Sequence, residues 1–210
     1  MSDLPEVSPS APEGGASRKR PPPGERRVQI LHTLAKMLEQ PGTERITTAA
    51  LAGQLAVSEA ALYRHFASKA QMFEGLIEFV ETSVFTLVNQ IAARDLTPAQ
   101  QVHGMVLVLL QFGEKNPGMA RVMVGDALVF EHERLSARMN QFFERIESQL
   151  RQGLRAGLEA NGSTTPTADA QALASSLTAL LIGRLQRYVR SGFKRLPTEH
   201  LEPALQRLCA

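Results

Sequence analysis

Three helix starts crowd into the stretch Ile46 to Gln71, "ITTAALAGQLAVSEAALYRHFASKAQ", and their spacing limits the fold more than anything else in the chain. Ile46 precedes Thr47, with Leu51 at the fourth helical position, and Val57 precedes Ser58, with Leu62 at the fourth. A hydroxyl at the N-cap accepts a hydrogen bond from a free amide of the first turn, and the flanking apolar pair fixes the angle at which the chain runs in. Ser68 followed by Gln71 is expected to close a third start as a capping box. These signals bracket a helix over 48–55, a short turn, a helix over 59–66 and a longer helix beyond Ser68. That is helix-turn-helix spacing.

The rest of the chain reads as helices too. Apolar residues recur at three and four with no sustained alternation. Val28, Leu31, Leu34, Ala35 and Leu38 stripe a first helix that begins near Glu25 and stops at Gln40, Pro41 and Gly42. Later breaks are expected at "ARDLTP" (93–98), "KNPG" (115–118), "ANGSTTP" (160–166) and "RLPT" (195–198). The fold class is therefore all-α, with about nine helices. Residues 1–24 are rich in Pro, Gly and Ser and are expected to form a disordered tail. Residues 25–70 then form the helix-turn-helix domain and 71–210 a helical dimerisation and partner-binding domain. Within 169–193, Leu173, Leu177, Leu180, Leu181, Leu185 and Tyr188 fall on one side of a helix. Ala174, Ser175, Ser176, Ala179 and Gly183 fall largely on the other, which permits close helix approach. Packing of that helix wholly within one subunit is the alternative.

Charge points to the partner. Residues 1–17 hold Asp3, Glu6 and Glu13 and no Lys or Arg, whereas Arg18 to Lys69 carries nine basic residues against four acidic ones. A basic segment on an otherwise balanced chain is the electrostatic footprint of a nucleic-acid reader; a solvated run in the tail is the plain alternative. Leu62 and Phe66 lie four apart and should pack inward. Ser58, Glu59 and Ala60 could then approach base edges, while Tyr63, Arg64, His65 and Lys69 reach phosphates. Amides at the helix starts marked by Thr47, Thr48 and Ser68 add anion donors. A solvated amphipathic helix is the competing reading of the same residues.

Other classes find little support. His32, His65, His103, His132 and His200 include no pair at metal-ligand spacing on a helix, and the single cysteine, Cys209, stands near none of them. The chain has no G-x-S-x-G, P-loop or G-x-G-x-x-G sequence, and Glu131/Glu133 and Glu144/Glu147 read as charges on solvated helix faces. No catalytic residue, metal or cofactor is expected. The longest wholly apolar run, "MVLVLL" at 105–110, cannot span a bilayer, and the polar start lacks a secretory core. A cytoplasmic protein is expected.

The segment from Arg45 to Phe79 resembles the DNA-binding domain of the TetR family, with its Val-Ser, Leu-Tyr, His-Phe and Ser-Lys pairs in order. "QFGEKNPG", "ALVFEHERLSARMNQFFERIESQLRQGLR" and "VRSGFKRLPT" are similar to the nucleoid occlusion branch of that family, so the likeness runs from about Arg26 to Thr198. The resemblance implies a nucleoid-associated homodimer that binds palindromic double-stranded DNA. Once bound, it would antagonise polymers of the tubulin-like division GTPase FtsZ and block the septum over the nucleoid. It also implies that the helix after the reader and the end of the next contact FtsZ, through Phe79, Lys115 and Asn116. On that helix Phe73, Leu76, Ile77, Val80, Val84, Leu87, Val88 and Ile91 form one stripe, and Phe79 lies off it. Packing of Phe79 on a neighbouring helix is the bland alternative. The family's other common activity is ligand-responsive repression, with Met105, Phe112, Met119, Met123 and Phe130 lining an inducer pocket. Met and Phe at helical spacing are more often plain core, and an inducer is not expected. One departure from the family pattern is Ala56, at a turn position where Gly is frequent.

Overall fold

The computed structural model describes residues 24–40 and 45–208. The expectation for the tail, except at Gly24, and those for Pro41, Gly42 and Cys209 lie outside the described residues. Among the described residues nine α-helices follow in order: α1 Glu25–Leu38, α2 Thr48–Gln54, α3 Glu59–Tyr63, α4 Lys69–Ala92, α5 Pro98–Lys115, α6 Pro117–Met123, α7 Glu133–Ala160, α8 Pro166–Arg190 and α9 Leu201–Leu208. A 3-10 turn, Asp126–Leu128, stands between α6 and α7. The described residues contain no strand.

The caps act where the sequence places them. Thr47 Oγ1 accepts from the Ala50 amide at 3.1 Å, Ser58 Oγ from Ala61 at 3.3 Å and Ser68 Oγ from Gln71 at 3.2 Å. Gln71 departs from the capping box: its Oε1 accepts from the Ala67 amide at 2.6 Å, one residue before the cap. A full capping box forms instead at Thr97 and Gln100, where Pro98 occupies the first turn.

Ile30, Leu34, Leu51, Leu62 and Phe66 bury against Met72, Phe73 and Ile77 of α4. The farther half of α4 continues the same core against α5 and α7, and α7 and α8 pack along one another. So α4 is the beam shared by both halves. α3 is shorter than expected, and Phe66 reaches the core from just beyond its end. Val28 is 66% exposed and Leu31 only partly buried, so the apolar stripe of α1 does not all face the core. Leu87 and Ala174 also exchange sides: Leu87 is exposed, and Ala174 is buried with Leu177 and Leu181.

Two chain breaks differ from the sequence reading. Between α6 and α7, Gly125 at φ 79° stops the chain inside what reads as a continuous apolar pattern. α8 ends at Arg190, before "RLPT", because Ser191 Oγ accepts from the Lys194 and Arg195 amides and competes with the helix backbone. Gly192 and Phe193, both at positive φ, then turn the chain away.

Ala56 ends the α2 turn at φ 51°, in the left-handed region that disfavours a Cβ. Relief of strain of about 1–2 kcal/mol should outweigh the added freedom of glycine in the unfolded chain. Ala56→Gly is expected to stabilise the protein by about 0.5–1 kcal/mol, seen as a higher urea midpoint at unchanged slope. A lower midpoint would refute the strain.

Candidate nucleic-acid interface and partner groove

Leu62 and Phe66 anchor the second helix of the motif, and Ser58, Glu59, Ala60, Tyr63, Arg64 and His65 are all exposed around it. Thr47 is exposed and Thr48 partly so. The Thr48 hydroxyl donates to Glu59 Oε2, joining the amino ends of α2 and α3 and engaging the one carboxylate on the reading face of α3. From α1, Arg27 donates to the His65 carbonyl at 3.0 Å and lies 4.1 Å over the Phe66 ring, so α1 braces the end of the reader.

Lys69 differs from the other candidates. Its ammonium is ion-paired with Glu131, from the segment before α7, and both side chains are largely buried. It also lies 5.5 Å from the Phe73 ring centre. Two further ion pairs continue the clasp along α4 and α7: Glu74 with Arg134 at 2.8 Å and Glu81 with Arg138 at 2.6 Å. The hydrogen bond from Arg138 to Glu81 is the main reason the guanidinium pKa is raised further.

Phe79, Lys115 and Asn116 come together. They line a groove of about 380 Å³ with Leu76 of α4, Met119 of α6, Val28, Leu31, His32, Ala35 and Lys36 of α1, and Glu39 just past its end. Phe79 is 50% exposed, its ring 6.0 Å from that of Phe112 beneath it. Asn116 Nδ2 donates to the Phe112 carbonyl at 2.8 Å, which fixes the far wall. Lys36 pairs with Glu39 at 2.8 Å, whereas Lys115 is exposed and makes no hydrogen bond or ion pair among the described residues. At Gly118 α6 packs tightly on α1: a Cβ there would stand 2.3 Å from the Ala35 carbonyl oxygen, so this approach requires glycine. The sequence reading missed the whole α1 wall. Its signal is Val28, His32, Ala35, Lys36 and Glu39 at three- and four-residue spacing, an apolar face edged with charge.

The residues considered for an inducer pocket do not line this groove, apart from Met119. Met105, Phe112 and Met123 are buried in the core, and Phe130 is 61% exposed on the surface before α7. Among the described residues no helix is long and apolar enough to cross a membrane, and no group of three His, Cys, Asp or Glu could hold a metal ion.

Residues 30–76 match the model of the bacterial regulatory proteins, tetR family, and residues 99–209 that of the tetracyclin repressor-like, C-terminal domain of SlmA-like type. The nucleoid occlusion factor SlmA of Photobacterium profundum is 50% identical over 186 residues, covering 88% of this chain and 94% of its own. The factor of the same name from Idiomarina loihiensis is 49% identical over 181 residues, covering 86% and 92%. Among solved structures, a TetR-like transcriptional regulator from Rhodococcus superposes with a TM-score of 0.70 at 17% identity, covering 90% of this chain and 96% of that one. The fatty acid degradation regulator FadR of Bacillus halodurans does so with 0.68 at 16%, covering 92% and 97%. Those two likenesses extend to the fold. The matches to both domains, with relatives half identical over nearly their full length, place the chain in the TetR family of bacterial regulatory proteins, in the group with a SlmA-like C-terminal domain.

Proposed function

We propose that this chain is a nucleoid occlusion factor. As a homodimer it binds twofold-symmetric sites on double-stranded chromosomal DNA, and so bound it antagonises FtsZ polymers and keeps the septum from assembling over the nucleoid. One reader helix spans only a few base pairs, so two must act together. The exposed side of α8, with Ser175, Ser176, Ala179 and Gly183, suits close approach by a second copy. In this reading Thr47, Thr48, Ser58, Ala60, Tyr63, Arg64 and His65 meet DNA, with Glu59 held by Thr48. Such a protein works in the cytoplasm, at the nucleoid.

The observation that carries the partner half is the convergence of Phe79, Lys115 and Asn116 on one groove with the α1 wall. An exposed aromatic beside a free ammonium and above an apolar floor suits an acidic peptide with apolar side chains, and FtsZ would supply that segment. Ligand-responsive repression gains nothing from the buried methionines, which pack as core.

Sedimentation of FtsZ polymers with the purified protein, with and without a palindromic DNA site, tests the reading. Loss of pelleted polymer that deepens when the DNA is present is expected. No effect on polymers, together with release of DNA by a small molecule, would favour the repressor.

A further inference from the structure

The carboxyl end of α8 and the segment that follows it border an open second pocket, of about 450 Å³, lined by Arg184, Arg187, Lys194, Arg195, Glu199 and His200. It shares no residue with the Phe79 groove or with the reader helix. Four cations face one carboxylate, and no apolar side chain lines the wall. Among the described residues the side chains of Arg187, Lys194 and Arg195 make no hydrogen bond or ion pair. The one carboxylate, Glu199, stands 3.7 Å from His200.

Arg184 makes the imbalance more than a surface matter. It is only 9% exposed, and buried guanidinium groups are ordinarily met by a carboxylate. Here its Nη1 donates to the carbonyls of Pro197 and Glu199, at 3.1 and 2.7 Å, its Nη2 to that of His200 at 3.5 Å, and its buried Nε has no partner among the described residues. Burial, and after it the charge of Arg187, pull the Arg184 pKa below its ordinary value. The segment supplying Lys194, Arg195 and His200 is shaped by Phe193 and His200 at φ 65° and 53°, conformations that L-residues rarely take.

We propose that this pocket binds an oligophosphate, a compact anion with two or more phosphate groups, held by Arg187, Lys194 and Arg195 over buried Arg184. A single carboxylate or orthophosphate leaves most of the excess charge unmet, whereas two or three linked phosphates match it and offer acceptors to several forked donors at once. With no apolar or aromatic wall, the pocket has nothing to stack on a base or hold an acyl chain, so recognition stops at the phosphates. The oligophosphate could be free, or the end of a nucleotide.

The test is calorimetric titration of the full-length protein with orthophosphate, tripolyphosphate, ATP and GTP, beside a Lys194→Gln/Arg195→Gln variant. Both substituted residues are exposed, so the variant should fold. Tripolyphosphate is expected to bind about tenfold more tightly than orthophosphate or better, ATP and GTP alike, and the variant to lose about tenfold in affinity at unchanged DNA binding. ATP and GTP binding as tightly as tripolyphosphate would make a nucleotide an acceptable source; their failure beside tripolyphosphate binding would restrict the site to a free oligophosphate. Three results overturn the proposal. Tripolyphosphate binds no better than orthophosphate; the variant keeps full affinity; or the variant instead loses dimerisation or DNA binding, which would make these cations a contact with a second copy or with the duplex.

Discussion

Phe79→Ala and Lys115→Asp are each expected to abolish the effect of the DNA-bound protein on FtsZ polymers while leaving the fold and DNA affinity nearly unchanged. The two side chains sit at opposite ends of one argument. Phe79 is half exposed and rests on Phe112 without being sealed by it, so truncation forfeits an aromatic contact of about 0.5–1.5 kcal/mol within the subunit. An aromatic anchor at the centre of an interface carries far more, about 2–4 kcal/mol, or roughly thirtyfold to a thousandfold in affinity. Lys115 contributes nothing visible to the subunit's own stability, because it has no partner among the described residues. Its reversal to Asp would set like charge against an acidic peptide, slowing association and raising salt sensitivity in the opposite sense. Polymer sedimentation and a DNA titration on the same preparations decide the matter. If both variants still act on FtsZ, or both lose DNA, the groove is not the partner site.

The second large effect concerns Lys69, whose ammonium cannot serve Glu131 and a phosphate fully at once. Releasing it should strengthen DNA binding. Glu131→Gln is therefore expected to raise affinity for all sequences alike at low salt and to steepen the salt dependence by about one ion. Lys69→Ala alone is a poor test, since it strands a largely buried carboxylate, at a cost of up to about 3–5 kcal/mol. In the Glu131→Gln background, however, Lys69→Ala should return the slope to that of the parent protein. An unchanged slope in Glu131→Gln would mean that Lys69 belongs to the clasp between α4 and α7 and never meets the backbone of the duplex.

The helix starts were legible because a cap is a local transaction: Thr47, Ser58 and Ser68 each bond an amide three residues on. Leu62 and Phe66 were legible for a related reason, since a helix so short and the turn that ends it can turn only one face to the core. Val28 and Leu31 were not. An apolar stripe reads the same whether another helix covers it or a groove leaves it open, and only the placement of α4, α5 and α6 decides. Lys69 and Glu131 lie far apart along the chain, and a lysine after an N-cap serine has the same spelling whether it awaits a phosphate or is already engaged. The stop at Gly125 was hidden by the apolar residues on both sides, while Thr97 and Gln100 spell a capping box in plain sequence.

Helix α1 has 14 residues, and the reader and the groove both lean on it: Arg27 near its start braces the reader, while Val28, His32 and Lys36 wall the groove. If so short a piece moves as a unit, an adjustment at one site would be felt at the other. Thermodynamics then sets a symmetric obligation. If DNA makes the groove about tenfold more receptive, an occupied groove must hold the protein about tenfold more firmly on DNA, about 1.4 kcal/mol in each direction. Chromosomal sites nearest an advancing ring of polymers would fill more completely because the ring is there, and the guard would be densest wherever it is tested.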